Sequence, residues 1–298
     1  MIRCERATVE RSGRVTVEAV TFVVSPGQAT ALVGRSGAGK SSLLAAAATA
    51  LPLHAGDILI DGHSVRREAE TVRWLIGYVP DRLPGWPGVR VDEFVELFAV
   101  AAGLRGKPLA TAVSKTLGMA GLDGQRHAPV DTLSSGHAKR LLVARALLHD
   151  PQVLLLDDPF GGLDPIERHE MERLVGDTHL MGRTVLAAID DADVPPCFTH
   201  LAVLDEGRMM VSGPAEPAWF AAGRTWACMI RCRGAAEAAV RVLATIVADA
   251  RASDGDTVAV TLDPTRGTLA DAIAAVVRAG IAVEHAGFDP PWPAQLLR

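Results

Sequence analysis

A glycine-rich loop between an apolar stretch and an alanine-rich stretch constrains the fold of this chain more than any other feature. Residues 29–34 read ATALVG, residues 34–42 read GRSGAGKSS, and LLAAAATA follows directly. A strand that turns through glycines into a helix directs several backbone N–H groups, and the positive end of the helix dipole, at one point. The pattern therefore predicts a phosphate-binding loop at the end of a strand in an α/β sheet.

The loop matches the G-x-x-x-x-G-K-[ST] pattern of the P-loop, which holds the phosphates of a nucleoside triphosphate. We expect the Lys40 ammonium to reach the β and γ phosphates and the Ser41 hydroxyl to bind Mg²⁺. The residues expected to hold the nucleotide are Gly34, Arg35, Ser36, Gly37, Ala38, Gly39, Lys40, Ser41 and Ser42.

A pair of carboxylates ends the apolar run VLLLDDP, residues 153–159. An unbroken apolar run is typical of a parallel strand that is buried on both faces. Asp157 would close that strand at its carboxyl end, where open α/β sheets bind their ligands. We therefore expect Asp157 to orient Mg²⁺, which leaves the second carboxylate, Asp158, to be explained.

Composition argues against several classes of protein. The 298 residues are 49% apolar and carry a formal net charge of −5 without a block of Lys or Arg, so nucleic acid is not an expected partner. The longest apolar run, residues 43–53, is shorter than the ~20 residues that cross a bilayer. The polar start MIRCERATVERSGR predicts a cytoplasmic chain without a signal peptide. The spacing of the four cysteines predicts neither a zinc site nor a disulfide.

A motif rich in serine lies between the loop and the carboxylate pair. Residues 132–151 read TLSSGHAKRLLVARALLHDP, and by itself Ser-Ser-Gly before a helix is only a good N-cap. Its position between the P-loop and the carboxylates resembles the signature motif of the ABC transporter ATPases, usually Leu-Ser-Gly-Gly-Gln. The corresponding residues here are Leu133, Ser134, Ser135, Gly136 and His137.

Three further motifs extend this resemblance over residues 1–213. GYVPD at 77–81 resembles the Q-loop, DDPFGGLDP at 157–165 resembles the end of Walker B with the D-loop, and TVLAAIDDAD at 184–193 resembles the switch-loop strand. Motifs in this order and spacing are highly specific. The chain therefore resembles an ABC transporter ATP-binding domain.

That resemblance implies a fold, ligands and partners. The expected fold is an α/β P-loop NTPase core of the ABC type over residues 1–213, with an inserted helical subdomain at about 81–146, followed by a small α+β domain over 214–298. Two such domains bind ATP and Mg²⁺ head to tail, as a homodimer or a heterodimer. A separate membrane permease contacts the helical subdomain and would hold the chain at the cytoplasmic face of the membrane. The residues that would face the nucleotide of the partner are Ser134, Ser135, Gly136, His137 and Asp164.

Four positions depart from the family pattern. Asp158 stands where the family has the glutamate that polarises the attacking water, Asp81 replaces the Q-loop glutamine, and Asp190 replaces the switch histidine. By the resemblance these three are the catalytic positions, and Asp81 could also ligate Mg²⁺. Arg11 takes the place of the aromatic residue that stacks on adenine, a contact that a guanidinium can also make.

The three aspartates bear on how well the chain hydrolyses ATP. Asp158 is shorter than glutamate by one C–C bond, ~1.5 Å, and a misplacement near 1 Å can cost ~100-fold in rate. An anion at Asp190 would repel the γ-phosphate by ~3 kcal/mol at ~5 Å and an effective dielectric constant of ~20. Two interpretations stay open. One is a slow ATPase subunit that powers an ABC exporter; the other is a degenerate half that binds ATP, hydrolyses it poorly, and pairs with a competent ATPase or acts structurally.

The region after the predicted ATP-binding domain has its own alternation of strands and helices. It resembles the C-terminal extension of the drug-resistance exporter branch of the family, with either a regulatory or dimer-stabilising role or a passive structural one. The predicted β-α-β-α-β order occupies residues 225–232, 235–250, 256–262, 268–280 and 281–288.

Overall fold

The computed structural model describes residues 1–189, 194–214, 226–244, 246–262 and 269–288. Contacts between Cα atoms divide the chain into two units, Met1–Pro214 and Ala215–Arg298. The first unit has strands β1 (Ile2–Arg11), β2 (Arg14–Val24), β3 (Ala29–Val33), β4 (Ala55–Ile60), β5 (His63–Ser64), β6 (Ile76–Val79), β7 (Val153–Asp157), β8 (Thr184–Ile189), β9 (His200–Asp205) and β10 (Arg208–Pro214). Its helices are α1 (Lys40–Ala47), α2 (Ala69–Leu75), α3 (Val91–Ala101), α4 (Gly106–Met119), α5 (Ser135–Ala146) and α6 (Pro165–Leu180), with 3₁₀ turns at Asp123–Gln125 and Val130–Thr132.

A six-stranded sheet carries the glycine loop. Its order is β10-β9-β3-β8-β7-β6, and all neighbours are parallel except the edge pair of β10 and β9. β3, β7 and β8 are buried along their whole length, as continuous apolar runs predict for strands covered on both faces. The predicted strands before the loop and at Val153–Asp157 are therefore confirmed.

Helix α1 fills the space between this sheet and a second, antiparallel sheet of order β2-β1-β4-β5. A helix that is apolar on nearly every side is stable only where it is covered all round. The sheets therefore share one apolar core with α1, and its members include Leu43, Leu44, Ile58, Ile60, Leu155 and Leu186. This packing holds Lys40, the first residue of α1, at the end of β3.

Three helices, α3, α4 and α5, lie between β6 and β7 in the chain. The ring of Phe94 is fully buried, 5.2 Å from the ring of Trp86 and 4.9 Å from that of Phe98. The Arg145 guanidinium on α5 lies 5.3 Å from the Phe98 ring and donates a 2.7 Å hydrogen bond to the carbonyl of Tyr78. This insertion is thus anchored to β6, the edge strand of the sheet. Across the described part of the chain, the helices lack the length and apolar character needed to span a bilayer.

The second unit has strands β11 (Trp226–Arg231), β12 (Asp249–Ala252), β13 (Thr257–Leu262) and β14 (His285–Phe288), with helices α7 (Ala236–Leu243) and α8 (Leu269–Arg278). Its antiparallel sheet has the order β12-β13-β11-β14. Its own apolar core includes Ile230, Leu243, Val258, Val260 and Val276.

The predicted helix over residues 235–250 is wrong in its second half. Helix α7 ends at Leu243, and Asp249–Ala252 forms strand β12, which pairs with β13. Ile246 and Val247 interrupt the alanine-rich pattern with β-branched side chains, which lose freedom in a helix. Pairing with β13 satisfies the backbone of this segment instead.

Leu155→Ala tests whether β7 lies at the centre of the core. The Leu155 side chain is 0% exposed, so its removal leaves a cavity, and we expect the free energy of unfolding to fall by ~2–5 kcal/mol in urea denaturation. Leu180→Ala is the matched control, because Leu180 is 82% exposed, and we expect a change within ~0.5 kcal/mol. Equal losses in the two variants would contradict this core.

Candidate functional site

The glycine loop between β3 and α1 fits closely against the strands around it. Gly39 has φ +102°, and a Cβ there would lie 2.2 Å from the carbonyl oxygen of Thr16. A Cβ at Gly34 would lie 2.2 Å from the carbonyl oxygen of Leu204. Both positions therefore require glycine, because a side chain would push the loop away from β2 and β9.

Lys40 places its charge inside the loop. Lys40 is buried, with only 4% of its surface exposed. Its ammonium donates hydrogen bonds to the carbonyl of Gly34 at 2.6 Å and to that of Arg35 at 2.9 Å. The first N–H groups of α1 point to the same place, since they begin at Lys40. An anion at the loop would thus meet a cation and a helix N-terminus together.

Ser41 and Asp157 meet across the sheet. The Ser41 hydroxyl donates a 2.8 Å hydrogen bond to Asp157 Oδ1, and Asp157 is 6% exposed at the end of β7. Two adjacent oxygens suit Mg²⁺, which prefers oxygen ligands and usually completes its shell with waters and substrate phosphates. Over the ranges that the structure describes, no group of three or more His, Cys, Asp or Glu side chains could hold a metal ion. Ser41 and Asp157 fit a Mg²⁺ that takes its other ligands from a nucleotide and water.

A cleft of about 270 Å³ opens over the loop. Arg11 is the last residue of β1 and pairs with Arg14, the first residue of β2. The hairpin between these two strands brings Arg11 to the edge of this cleft. Burial first, and the negative charge of Asp157 second, raise the pKa of Tyr78, on β6, to about 12. The residues that line the cleft are Arg11, Thr16, Ser36, Gly37, Gly39, Lys40, Ser41 and Ser42.

The predicted signature residues lie at the start of α5. Ser134 caps the helix by accepting a 3.2 Å hydrogen bond from the backbone N–H of His137, and Asp164 caps α6 in the same way. The Ser134 hydroxyl also donates to Glu167 Oε1 at 2.7 Å, and a Cβ at Gly136 would lie 2.5 Å from the Glu167 carboxyl carbon. Ser135 reaches the other oxygen of the same carboxylate at 3.4 Å. One carboxylate of the same chain thus holds both exposed serines.

Asp81 and Asp158 come together in a second cleft, of about 570 Å³. The Lys139 ammonium lies 3.7 Å from Asp158 Oδ2 and 3.9 Å from Asp81 Oδ1. A Cβ at Gly161 would lie 1.9 Å from Asp158 Oδ2, so the carboxylate rests against the D-loop backbone. Asp190 lies outside the described residues.

Sequence reasoning missed two residues of these sites, Lys139 and Glu167. Helical spacing offers a signal for Lys139, because it follows Ser135 by four residues and therefore shares a face of α5 with it. Glu167 stands three residues after the Asp164 cap, where a glutamate commonly folds back on a helix start. Neither spacing predicts the contact with another segment, which joins Lys139 to the carboxylates of Asp81 and Asp158 and Glu167 to the hydroxyl of Ser134.

A glycine loop after a parallel strand, with a carboxylate from a strand of the same sheet at its serine, defines a P-loop nucleotide-binding domain. The family model described as ABC transporter matches residues 17–161. The chain is 33% identical over 204 residues to the Nod factor export ATP-binding protein I of Cupriavidus metallidurans, a match that covers 67% of this chain and 66% of that protein. It is 35% identical over 223 residues to the sulfate/thiosulfate import ATP-binding protein CysA of Nocardia farcinica, covering 72% of this chain and 66% of that protein.

The chain belongs to the ABC transporter family and carries its ATP-binding domain. It spans 66% of the length of these two curated relatives. CbiO1 from Clostridium perfringens, part of the ABC transporter complex CbiONQ, aligns with a TM-score of 0.65 at 27% identity, covering 73% of this chain and 90% of that chain. A dimeric ATP-binding cassette in a post-hydrolysis state with ADP and Pi aligns with a TM-score of 0.65 over 72% of this chain and 98% of that chain. Its 23% identity makes this second likeness one of fold.

Ser41→Ala tests the Mg²⁺ site. The variant loses one of the two adjacent oxygens, so we expect ATP affinity without Mg²⁺ to change little, whereas the gain in affinity on adding Mg²⁺ falls ~10-fold, or ~1.4 kcal/mol. Calorimetric titration of ATP with Mg²⁺ and with EDTA measures both. Ser114→Ala, an exposed serine on α4, is the control and keeps the full gain. A full Mg²⁺ gain in Ser41→Ala would contradict this site.

Proposed function

We propose that this chain is the ATP-binding subunit of an ABC transporter. It powers or gates export through a separate membrane permease by dimerising around ATP. The observation that carries the proposal is the contact of Ser41 with Asp157 beside the buried Lys40, because it gathers a phosphate site and two Mg²⁺ ligands. The relatives named above include an export and an import protein. The assignment to export follows the C-terminal resemblance.

ATP and Mg²⁺ bind over the glycine loop in this proposal. The Lys40 ammonium turns from the carbonyls of Gly34 and Arg35 to phosphate oxygens, and Ser41 with Asp157 holds the metal. Bound Mg²⁺ supplies positive charge to the phosphates as negative charge develops on them. Arg11, at the edge of the same cleft, stacks on the base.

Dimerisation uses the exposed start of α5. Ser134 and Ser135 are exposed, and so is the Asp164 cap of α6, whereas Gly136 is buried and His137 is half-buried. A second ATP-binding domain can therefore reach the two serines and Asp164 directly. The hydroxyl of Ser134 now donates to Glu167. The γ-phosphate of an ATP bound by the partner competes with the Glu167 carboxylate for the Ser134 hydroxyl. ATP therefore has to displace Glu167 from Ser134.

The permease contact falls on the helical insertion. Leu97 and Val100, which are 50% and 40% exposed, stand three residues apart on α3 and therefore lie next to each other on its surface. A short apolar helix of a permease would cover them. In this proposal the permease would hold the chain at the cytoplasmic face of the membrane.

We assign hydrolysis to Asp158, and by the family resemblance Asp81 and Asp190 are the other two catalytic positions. Asp158 holds the attacking water in place of the usual glutamate, and its reach is shorter. The alternative is a degenerate half that binds ATP, hydrolyses it poorly, and pairs with a competent ATPase or acts structurally. The close approach of Asp158 Oδ2 to Gly161 favours this alternative, because the short carboxylate rests against the D-loop backbone.

Asp158→Glu measures how much activity the short carboxylate costs. Restoring ~1.5 Å of reach should raise the steady-state turnover of the purified chain by ~10- to 100-fold. Asp158→Asn is the matched control, because it keeps the size and loses the base, and its turnover should fall below that of the wild type. Lys40→Ala should abolish turnover in either background.

The outcome separates the two functions. Fast wild-type turnover that Asp158→Glu leaves unchanged contradicts the degenerate half. Wild-type turnover near zero, together with a second ATP-binding chain that copurifies from native membranes with the permease, contradicts an ATPase that works as a homodimer. A chain that fails to bind ATP contradicts both.

A further inference from the structure

Lys139 occupies the centre of the second cleft. Its side chain is 12% exposed and lies on α5, one turn after Ser135. Its ammonium donates a short hydrogen bond to the main-chain carbonyl of Asp158. The carboxylate oxygens Asp158 Oδ2 and Asp81 Oδ1 lie 3.7 and 3.9 Å away. Three oxygens from two segments thus surround one ammonium group, which has three N–H donors.

The charges around Lys139 favour a cation at this position. Asp81 and Asp158 bring two carboxylates into one cleft, and their like charges repel each other. Arg82 also contacts Asp81, at 3.4 Å, but its side chain is 92% exposed and is therefore strongly screened by water. Lys139 lies close to both carboxylates and has little exposure to solvent.

The backbone at Asp158 also depends on this contact. Asp158 has φ +46°, in the left-handed region that residues with a side chain seldom adopt. Its N–H donates to the carbonyl of Ala188 on β8 at 3.0 Å, and its own carbonyl accepts from Lys139. The turn that aims the carboxylate is therefore held from both sides, by β8 and by α5.

We propose that Lys139 is a positioning residue for Asp158. Lys139 fixes the carbonyl and the carboxylate of Asp158 and screens the negative charge of Asp158 from that of Asp81. The two aspartates can then both lie beside one reacting phosphate. Because Lys139 lies on α5, the helix that Ser134 caps, it also connects the proposed partner-facing motif to the Asp158 carboxylate of its own chain. This inference rests on the proposed function, since it assigns Asp158 to hydrolysis.

Single-turnover hydrolysis with and without Lys139 tests the proposal. Lys139→Met keeps the length of the side chain and removes its charge, and we expect the rate to fall ~10- to 100-fold, with the affinity for ATP changed less than ~3-fold because the glycine loop is intact. Lys139→Arg should recover part of the rate, since it restores the charge. Adding Asp81→Asn to Lys139→Met should also recover part of it, because the repulsion that Lys139 screens is gone. Lys107→Met, an exposed lysine on α4, is the control and should behave as the wild type.

A purely structural lysine would give another pattern. If Lys139→Met lowered ATP affinity and rate together, or if Asp81→Asn gave no recovery in that background, the positioning role would be overturned. A variant that unfolds is identified by its urea midpoint, and Lys139→Arg then carries the test: it should keep within ~10-fold of the wild-type rate, and a complete loss in a folded Lys139→Arg protein would overturn the proposal.

Unfolding measurements separate this inference from the proposed function. The urea midpoints of Lys139→Met, Asp158→Asn and the double variant should be non-additive, because the two groups are in contact. Additive midpoints would overturn the role of Lys139 whatever the turnover. A wild-type chain that completes no single turnover contradicts the assignment of hydrolysis, and the midpoints alone then decide whether Lys139 holds Asp158.

Discussion

The hydrogen bond between the Ser41 hydroxyl and Asp157 Oδ1 is the contact on which the rest of the structure depends. It joins residues 116 positions apart at a distance of 2.8 Å. The strand order β3-β8-β7 and the packing of α1 between two sheets bring the start of α1 and the end of β7 together. The glycines of the loop, the buried Lys40 and the end of β7 all take their positions from the same packing.

Much of this site could be predicted from short stretches of the sequence. The glycine loop, Lys40 and Ser41 belong to one strand-loop-helix unit, and Asp157 ends an apolar run whose burial follows from its composition. Such features are local, because spacing and side-chain chemistry along one segment determine them. The strand ends then meet because parallel strands place their carboxyl ends at one edge.

The remaining features arise from contacts between distant segments. Lys139 reaches Asp81 and Asp158, and Glu167 reaches Ser134, over separations that no periodicity encodes. In the second unit, β12 replaces the end of a predicted helix because β13 is present to pair with it. Helix propensity is a weak preference, and a strand partner outweighs it.

Two contacts within the chain lie at the start of α5. The Glu167 carboxylate accepts a hydrogen bond from the Ser134 hydroxyl at the cap, and one turn further on the Lys139 ammonium lies close to two aspartates. A nucleotide carried by a partner would bring further negative charge to the first of these places. The proposed role of the domain therefore depends on whether the phosphates of ATP can replace contacts within the chain, such as that of Glu167 with Ser134.

Calorimetric titration of the wild-type chain with ATP, ADP and AMP in the presence of Mg²⁺ tests the central claim most directly. If Lys40, Ser41 and the loop N–H groups bind the nucleotide through its β and γ phosphates, AMP should bind at least ~100-fold more weakly than ATP, because charge-assisted hydrogen bonds of ~1.5–3 kcal/mol each are lost. Equal affinity for AMP and ATP, or no binding of ATP, would contradict the account.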